Sequence, residues 1–425
     1  MNRGRVYLWT PDPSHPLGGR VGRAIVELPR LDPSSTGSTG LRGRYVRVRN
    51  AGEVNFPDDV GGSRAVRIGN VCANDDSDYL YEPGHGGGRL DKVVLPDPDV
   101  RERYVQAAHF GEVNTYYHLD LIADYVDGLM RELGTPPLPT VIAVVNAHHA
   151  ATQTNGLRRG TRWQPFQGGH YRLPSRRYDV CENEPIEPDG EIHLGPGRRL
   201  TEFGALVEAA GGRYRANASH NAGILYHEYG HHVTRHTADY RGNTLRRPDR
   251  QNNVKTAMDE GTCDYLTAAI LGTPHIWAWH RRHDEIETHP RSLVSRRTMN
   301  DFDSGPKADP HVNGTIWASA LWDLRSRLIE IEGESGGRQA DLLVMQALIL
   351  IGGRGAEGPN ADVRSLRAAR ESFATGLTVL LEADAALTSG RRRTLISSIF
   401  AARGILPEAE SLQVGNAQRE IRSRD

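Results

Sequence analysis

Short apolar or alternating runs recur through the first hundred positions of the chain. The clearest runs lie at residues 24–28, 45–48, 65–68 and 92–95. Clusters of proline, glycine, aspartate and serine separate these runs, a pattern typical of β-strands joined by turns. We therefore predict that residues 1–104 form a β-rich N-terminal region.

The spacing of apolar residues changes further along the chain. Apolar residues recur at helical spacing from Leu119 to Leu133, which predicts an amphipathic helix there. Residues 140–146 are apolar and β-branched and predict a buried strand, while residues 191–194, between glycines, predict a short strand. From residue 218 onward the pattern predicts helices joined at glycine and proline. The chain as a whole therefore predicts an α+β fold.

The composition argues against two classes of partner. The chain has 425 residues, with 52 lysines and arginines against 53 aspartates and glutamates, so its net charge is -1. The mean hydropathy is -0.54, and the longest apolar run, residues 342–351, is far shorter than the roughly 20 residues that span a bilayer. We therefore expect neither a membrane nor a nucleic acid as a partner, and the oligomeric state stays open.

The cysteines and the N-terminus bear on the compartment. Cys72, Cys181 and Cys263 are too few for a disulfide framework and lack the close spacing of a cysteine metal site. At least one is unpaired, and Cys72 with Cys181 is the pairing to test first. The first residues lack the apolar segment of a secretory signal peptide, so the chain is expected to be cytoplasmic if it is complete.

The strongest chemical signal is the HEXXH motif at residues 227–231, His-Glu-Tyr-Gly-His, in a proline-free segment that predicts a helix. His227 and His231 are four residues apart and share a helical face, so both imidazoles can bind one metal ion. Glu228 is turned by about 100° from His227 and points beside the metal rather than at it. The alternative is a surface helix that is rich in histidine, since the chain has 18 histidines.

A second motif lies downstream, where residues 258–264 open an apolar helix. Glu260 and Asp264 are four residues apart on one face. A catalytic zinc ion needs a third protein ligand, and the carboxylate of Glu260 can supply it. The carboxylate of Asp264 can accept the other N–H of a zinc-bound histidine and fix its tautomer. The alternative is an acidic first turn that the helix dipole favours.

The two motifs together resemble the gluzincin pattern of the thermolysin-like zinc peptidases, and more closely its fungalysin version. The gap from His231 to Glu260 is 29 positions, and Asp259 stands where fungalysins usually have glycine. The resemblance covers about residues 105–405 and is most specific between residues 227 and 318.

The resemblance implies a two-lobed catalytic domain at residues 105–425 that follows the β-rich region. Its upper lobe would span about residues 105–232, and its mainly helical lobe about residues 233–425. Members of this family are secreted, so the resemblance implies an extracellular location if the chain is a processed fragment.

The resemblance also implies the roles of the site residues. One zinc ion per chain would be held by His227, His231 and Glu260, and Glu228 would act as the general base on a metal-activated water. Residues 311–318 resemble the block that carries a histidine contacting the transition state, which makes His311 a catalytic candidate. The alternative for His311 is a helix-capping or solvent-facing histidine.

Contacts to a peptide or protein substrate are implied by three further features. Residues 191–195 resemble the edge strand that pairs with peptide substrates in the family. Asn183, just before this strand, is a candidate for binding the substrate backbone. Tyr240 is a candidate for the phenol that assists the oxyanion.

These features predict a zinc-dependent peptidase, with an endopeptidase favoured. One alternative is a related zinc aminopeptidase, although the chain has no segment resembling the G-x-M-E-N motif that binds a free amine. The other alternative is a protein that binds zinc but is catalytically inactive.

Overall fold

The computed structural model describes most of the chain. The described residues are 2–12, 14, 19–35, 39–57, 63–83, 98–152, 161–165, 168–173, 186–195, 199–202, 205–208, 217–238, 257–276, 291–305, 308–353 and 366–407.

Thirteen strands and seven α-helices lie in the described ranges, which confirms the predicted α+β class. The strands are β1 (Arg3–Pro11), β2 (Gly19–Glu27), β3 (Leu41–Arg42), β4 (Val46–Asn50), β5 (Glu53–Pro57), β6 (Ser63–Arg67), β7 (Val141–Val145), β8 (His148–Thr152), β9 (Thr161–Pro165), β10 (Gly169–Arg172), β11 (Glu191–Leu194), β12 (Arg199–Glu202) and β13 (Ala205–Glu208). The helices are α1 (Pro98–Glu132), α2 (Ala222–His236), α3 (Ala257–Leu271), α4 (Pro310–Glu332), α5 (Glu334–Gly353), α6 (Leu366–Thr388) and α7 (Arg393–Ala402). None of these helices combines the length and apolar character that crossing a bilayer requires.

The predicted elements are found, but α1 is longer than its apolar pattern indicates. Its first half buries polar side chains, including His109 and Glu112, which interrupt the hydrophobic period. Glu112 lies 2.8 Å from the His109 ring and accepts a hydrogen bond from Asn50 at 2.8 Å. Because these buried side chains are polar, the spacing of apolar residues does not indicate the first half of α1. The strand predicted at residues 92–95 lies outside the described residues.

The chain forms two compact units, and the boundaries between them fall inside α1 and α2. The first unit contains the described residues up to Tyr125 and those from Pro139 to Tyr229. The second contains residues 126–138 and the described residues from Gly230 onward.

A five-stranded mixed sheet organises the first unit. Its strand order is β10-β11-β7-β4-β3, with β4, β7 and β11 parallel and the outer two strands antiparallel to their neighbours. Val46, Val144 and Ile192 are fully buried on these strands and form part of the core. Because β4 pairs with β7, the sheet includes residues from both sides of the predicted domain boundary at residue 104.

The strand at residues 191–194 is present as β11, but its predicted place at the edge of the sheet is wrong. β11 lies between β7 and β10, and β10 is the outermost described strand on that side. Gly169 pairs with Leu194, and Arg172 pairs with Glu191. The four residues of β10 have no alternating apolar pattern, which is why sequence periodicity does not indicate this strand.

Close helix packing organises the second unit. A Cβ atom on Gly261 of α3 would lie 2.3 Å from the carbonyl oxygen of Gly314 on α4, so the two backbones touch at these glycines. Beside this contact, the Trp317 ring packs against Phe373 and Phe400. The approach of α3 to α4 sets the distance between the acidic residues of α3 and the start of α4.

Candidate metal centre

The two motif histidines lie on α2, which Asn221 caps. The Asn221 side chain accepts a hydrogen bond from the backbone N–H of Ile224 at 3.2 Å, satisfying a donor that the first turn leaves open. His227 and His231 are buried and stand one turn apart on this helix. His227 belongs to the first unit and His231 to the second. The predicted binding of a metal ion by His227 stays a prediction.

Glu228 is buried in the first unit, against the edge strand β10. A Cβ atom on Gly169 would lie 2.6 Å from the Cγ of Glu228, so only glycine lets the strand pass this close. The Oε2 atom of Glu228 is buried and has no hydrogen-bond partner among the described residues. Buried carboxylate oxygens nearly always have a hydrogen-bond partner. We therefore expect this oxygen to accept a proton from a water or substrate molecule.

The second unit brings His231, Glu260 and His311 together. The Oε2 atom of the fully buried Glu260 lies 3.6 Å from His231 Nε2 and 3.1 Å from His311 Nε2. With zinc–ligand bonds of about 2.0–2.2 Å in a tetrahedron, neighbouring ligand atoms lie about 3.3–3.6 Å apart. The spacing of His231 and Glu260 therefore fits two ligands of one zinc ion.

The charge around His231 also suits a cation. Burial lowers the pKa of His231, but the carboxylates of Asp259 and Glu260 raise it, and the net pKa lies well above its usual value. The surrounding groups thus stabilise positive charge at this imidazole. A nitrogen and a carboxylate oxygen in such surroundings are a donor set that zinc accepts.

His311 lies at the start of α4, as predicted, and Asp309 orients it. Asp309 is the N-cap of this helix, and its Oδ1 atom accepts from the His311 backbone N–H at 3.0 Å and lies 2.7 Å from His311 Nδ1. Burial tends to raise the pKa of Asp309, but the hydrogen bond and charge of His311 lower it to about 2. Asp309 is therefore ionised at neutral pH. The Asp-Pro-His sequence, with an N-cap residue before proline, is the signal that could have indicated this contact.

Asp264 is buried in a two-point ion pair with Arg291. Arg291 Nη2 donates to Asp264 Oδ1 at 2.6 Å, and Arg291 Nε donates to Asp264 Oδ2 at 3.0 Å. Both side chains are buried, so the carboxylate neutralises a buried guanidinium. The role predicted for Asp264 toward a zinc-bound histidine stays a prediction. Sequence spacing gives no sign of Arg291, which lies 27 positions away.

Replacing Asp264 with alanine is expected to lower the free energy of unfolding by about 3–5 kcal/mol, because the buried Arg291 guanidinium loses its two-point carboxylate partner. Urea unfolding measures this loss. The matched control is the double variant Asp264→Ala/Arg291→Met, which removes both charges and should recover most of the stability. An Asp264→Ala variant as stable as the wild type would contradict the structural importance of this pair.

Three predicted residues, Asn183, Tyr240 and Cys181, lie outside the described residues. The roles of Asn183 and Tyr240 stay predictions, whereas the exposed Cys72 is a free cysteine in the structure, which contradicts its suggested pairing with Cys181. Cys263 is buried and lies 3.3 Å from His231 Nδ1.

Comparisons with known proteins agree with the family that the two motifs resemble. The sequence profile described as "Fungalysin metallopeptidase (M36)" matches residues 3–409. "Extracellular metalloproteinase mep" of Aspergillus flavus is 25% identical over 365 residues, covering 76% of this chain and 50% of that protein. "Extracellular metalloproteinase mep" of Aspergillus fumigatus is 26% identical over 256 residues, and "Extracellular metalloproteinase 4" of Arthroderma benhamiae is 25% identical over 234 residues; each match covers 52% of this chain and 34% of the relative. The chain thus spans half or less of the length of these relatives.

Proposed function

The chain belongs to the fungalysin metallopeptidase family, and on this premise we propose that it is a zinc-dependent endopeptidase acting on peptides or proteins. The observation that carries the proposal is the buried Glu260 carboxylate, whose Oε2 atom lies 3.6 Å from His231 Nε2. The names of the curated relatives support a location outside the cell.

We propose His227, His231 and Glu260 as the ligands of one zinc ion per chain. Two imidazoles and one carboxylate leave a position open for water or substrate, which is the arrangement of catalytic zinc sites. When bound, zinc would polarise the scissile carbonyl and increase the acidity of the attacking water.

Glu228 is the proposed general base. It directly follows the ligand His227 on α2, so its side chain is turned away from the ligand direction by about 100°. Its buried Oε2 atom would accept a proton from the attacking water and then pass this proton to the leaving amine. A substrate held along the outer edge of β10 would lie close to this carboxylate, because Gly169 packs against it.

His311 is the proposed donor to the oxyanion that develops on the scissile carbonyl. The ionised Asp309 holds Nδ1, which leaves Nε2 as the nitrogen that faces the site. A donor held in this way acts without reorganisation when negative charge develops.

Replacing His311 with alanine is expected to lower kcat by about 10²–10³-fold, because one oxyanion donor is lost. Zinc content and KM should stay close to wild type, since the donor acts chiefly in the transition state. Steady-state kinetics with zinc analysis measures both quantities. Loss of zinc from His311→Ala would instead identify His311 as a metal ligand. The 3.1 Å distance between His311 Nε2 and Glu260 Oε2 is also compatible with that role.

Digestion of a denatured protein distinguishes the proposed endopeptidase from a zinc aminopeptidase. Mass spectrometry should detect internal fragments from the earliest times, while an amino-acid anilide should remain uncut. Release of single N-terminal residues, with hydrolysis of the anilide, would overturn the endopeptidase assignment and favour the aminopeptidase.

A further inference from the structure

The ring of His231 has a second set of contacts at the nitrogen that does not face Glu260. His231 Nδ1 lies 3.1 Å from Asp259 Oδ2 and 3.3 Å from Cys263 Sγ. All three side chains are buried, so water cannot substitute for these contacts. The residues come from two helices, with the histidine on α2 and its neighbours on α3.

Asp259 is itself held in place by the helix that carries the histidine. Its Oδ1 atom accepts a hydrogen bond from the Thr234 hydroxyl at 2.7 Å. Thr234 lies three residues after His231 and is also buried. The two oxygens of this carboxylate therefore bind two side chains of α2, one turn apart, which fixes both the position and the rotation of Asp259.

A glycine lets the two helices come this close. A Cβ atom on Gly230 would lie 2.8 Å from Cys263 Cα and 2.9 Å from Cys263 Cβ. These are shorter than any ordinary contact, so a larger residue at position 230 would separate α2 from α3. The close approach brings Asp259 and Cys263 to the His231 ring.

The chemistry of these neighbours decides which ring nitrogen carries the proton. A carboxylate is a strong acceptor without a proton, whereas a thiol is a weak donor and a weak acceptor. The proton of a neutral His231 ring therefore lies on Nδ1 and is donated to Asp259. Nε2, 3.6 Å from Glu260 Oε2, then keeps its lone pair, which a metal-binding nitrogen requires.

We propose that Asp259 is a positioning residue that holds His231 through Nδ1, with Thr234 as its anchor, so that Nε2 is directed at the metal. This inference rests on the proposed function, in which His231 is a zinc ligand.

A second metal ion is the main rival explanation for the same three residues. His231, Asp259 and Cys263 offer ligand atoms that all lie within 4.8 Å of one another. An ion bound there would need the proton of Nδ1 to be absent. The number of zinc ions per chain and the place of this proton therefore separate the two explanations.

The test measures zinc affinity by competition with a chelating dye in the wild type, Asp259→Leu and Asp259→Asn. Asp259→Leu has a similar size but no acceptor, and should bind zinc more weakly by about 10–100-fold. Asp259→Asn keeps an acceptor oxygen and should recover most of this loss. Cys263→Ala is the matched control on the same helix, and its affinity should stay within a few-fold of wild type.

A spectroscopic measurement on the wild type keeps the proposal testable even if Asp259→Leu does not fold. ¹⁵N NMR of the zinc-loaded protein, with labelled histidine, should show a proton on Nδ1 of His231. The chemical shift of this nitrogen should change in Asp259→Asn, a change that a purely structural role would not produce.

The outcomes separate failure of the inference from failure of the proposed function. One zinc ion per wild-type chain with unchanged affinity in Asp259→Leu overturns the inference alone, as does an unprotonated Nδ1. Two zinc ions per chain, with one lost in both Asp259→Leu and Cys263→Ala, overturn it in favour of a second metal site. A wild-type chain that binds no zinc overturns the proposed function together with the inference.

Discussion

The variant Glu228→Gln is expected to lose peptide hydrolysis by about 10²–10⁴-fold, the usual cost of removing a general base. Glutamine preserves the size and packing of this buried side chain but cannot take a proton from water. The zinc content and the melting temperature should therefore stay near wild type. Steady-state kinetics on a peptide, elemental analysis and thermal unfolding measure the three quantities on one preparation.

The matched control for this change is Glu330→Gln, the same substitution at an exposed residue of α4 that pairs with Arg327. Its kinetics should equal those of the wild type, because surface ion pairs contribute little. If Glu228→Gln keeps full activity with zinc bound, another group takes the proton, and the proposed mechanism is wrong even where the metal site is right.

The variant Glu260→Ala is expected to lose zinc and activity together. Glu260 is the proposed carboxylate ligand, so its removal should weaken zinc binding by more than the ~10–100-fold that groups outside the ligand set contribute. His231→Ala should behave in the same way. Elemental analysis after gel filtration measures the zinc that each variant retains.

The control for the metal-binding variants is His236→Gln, a change at another histidine of α2 whose ring packs on His232. This variant should keep its zinc. Full zinc retention in Glu260→Ala would remove Glu260 from the ligand set and leave the family pattern without its third ligand in this chain.

The local parts of the candidate site could be predicted from the sequence because helix periodicity carries them. Spacing of four residues places His227 and His231 on one face of α2, and the apolar helix that begins near residue 258 presents Glu260. These relations hold within a single helix, so they need no knowledge of tertiary packing. Local sequence pattern also correctly predicted β7, which is apolar throughout, and β11, in which apolar and polar residues alternate.

Contacts between distant segments could not be predicted in this way. Arg291 reaches Asp264 from another part of the chain, and Asp259 meets His231 only because Gly230 lets α3 approach α2. β10 escapes detection because a four-residue strand at a sheet edge needs no hydrophobic pattern. In each case the missing information is the packing of one element on another.

The most direct test of zinc-dependent peptidase activity is hydrolysis of a denatured protein by the purified chain. The rate is measured before zinc removal, after chelation and after zinc is restored. Mass spectrometry should show cleavage that stops on chelation and returns when about one zinc ion per chain is added. Cleavage that continues at an undiminished rate in a chain shown by elemental analysis to be free of zinc would contradict the proposed function.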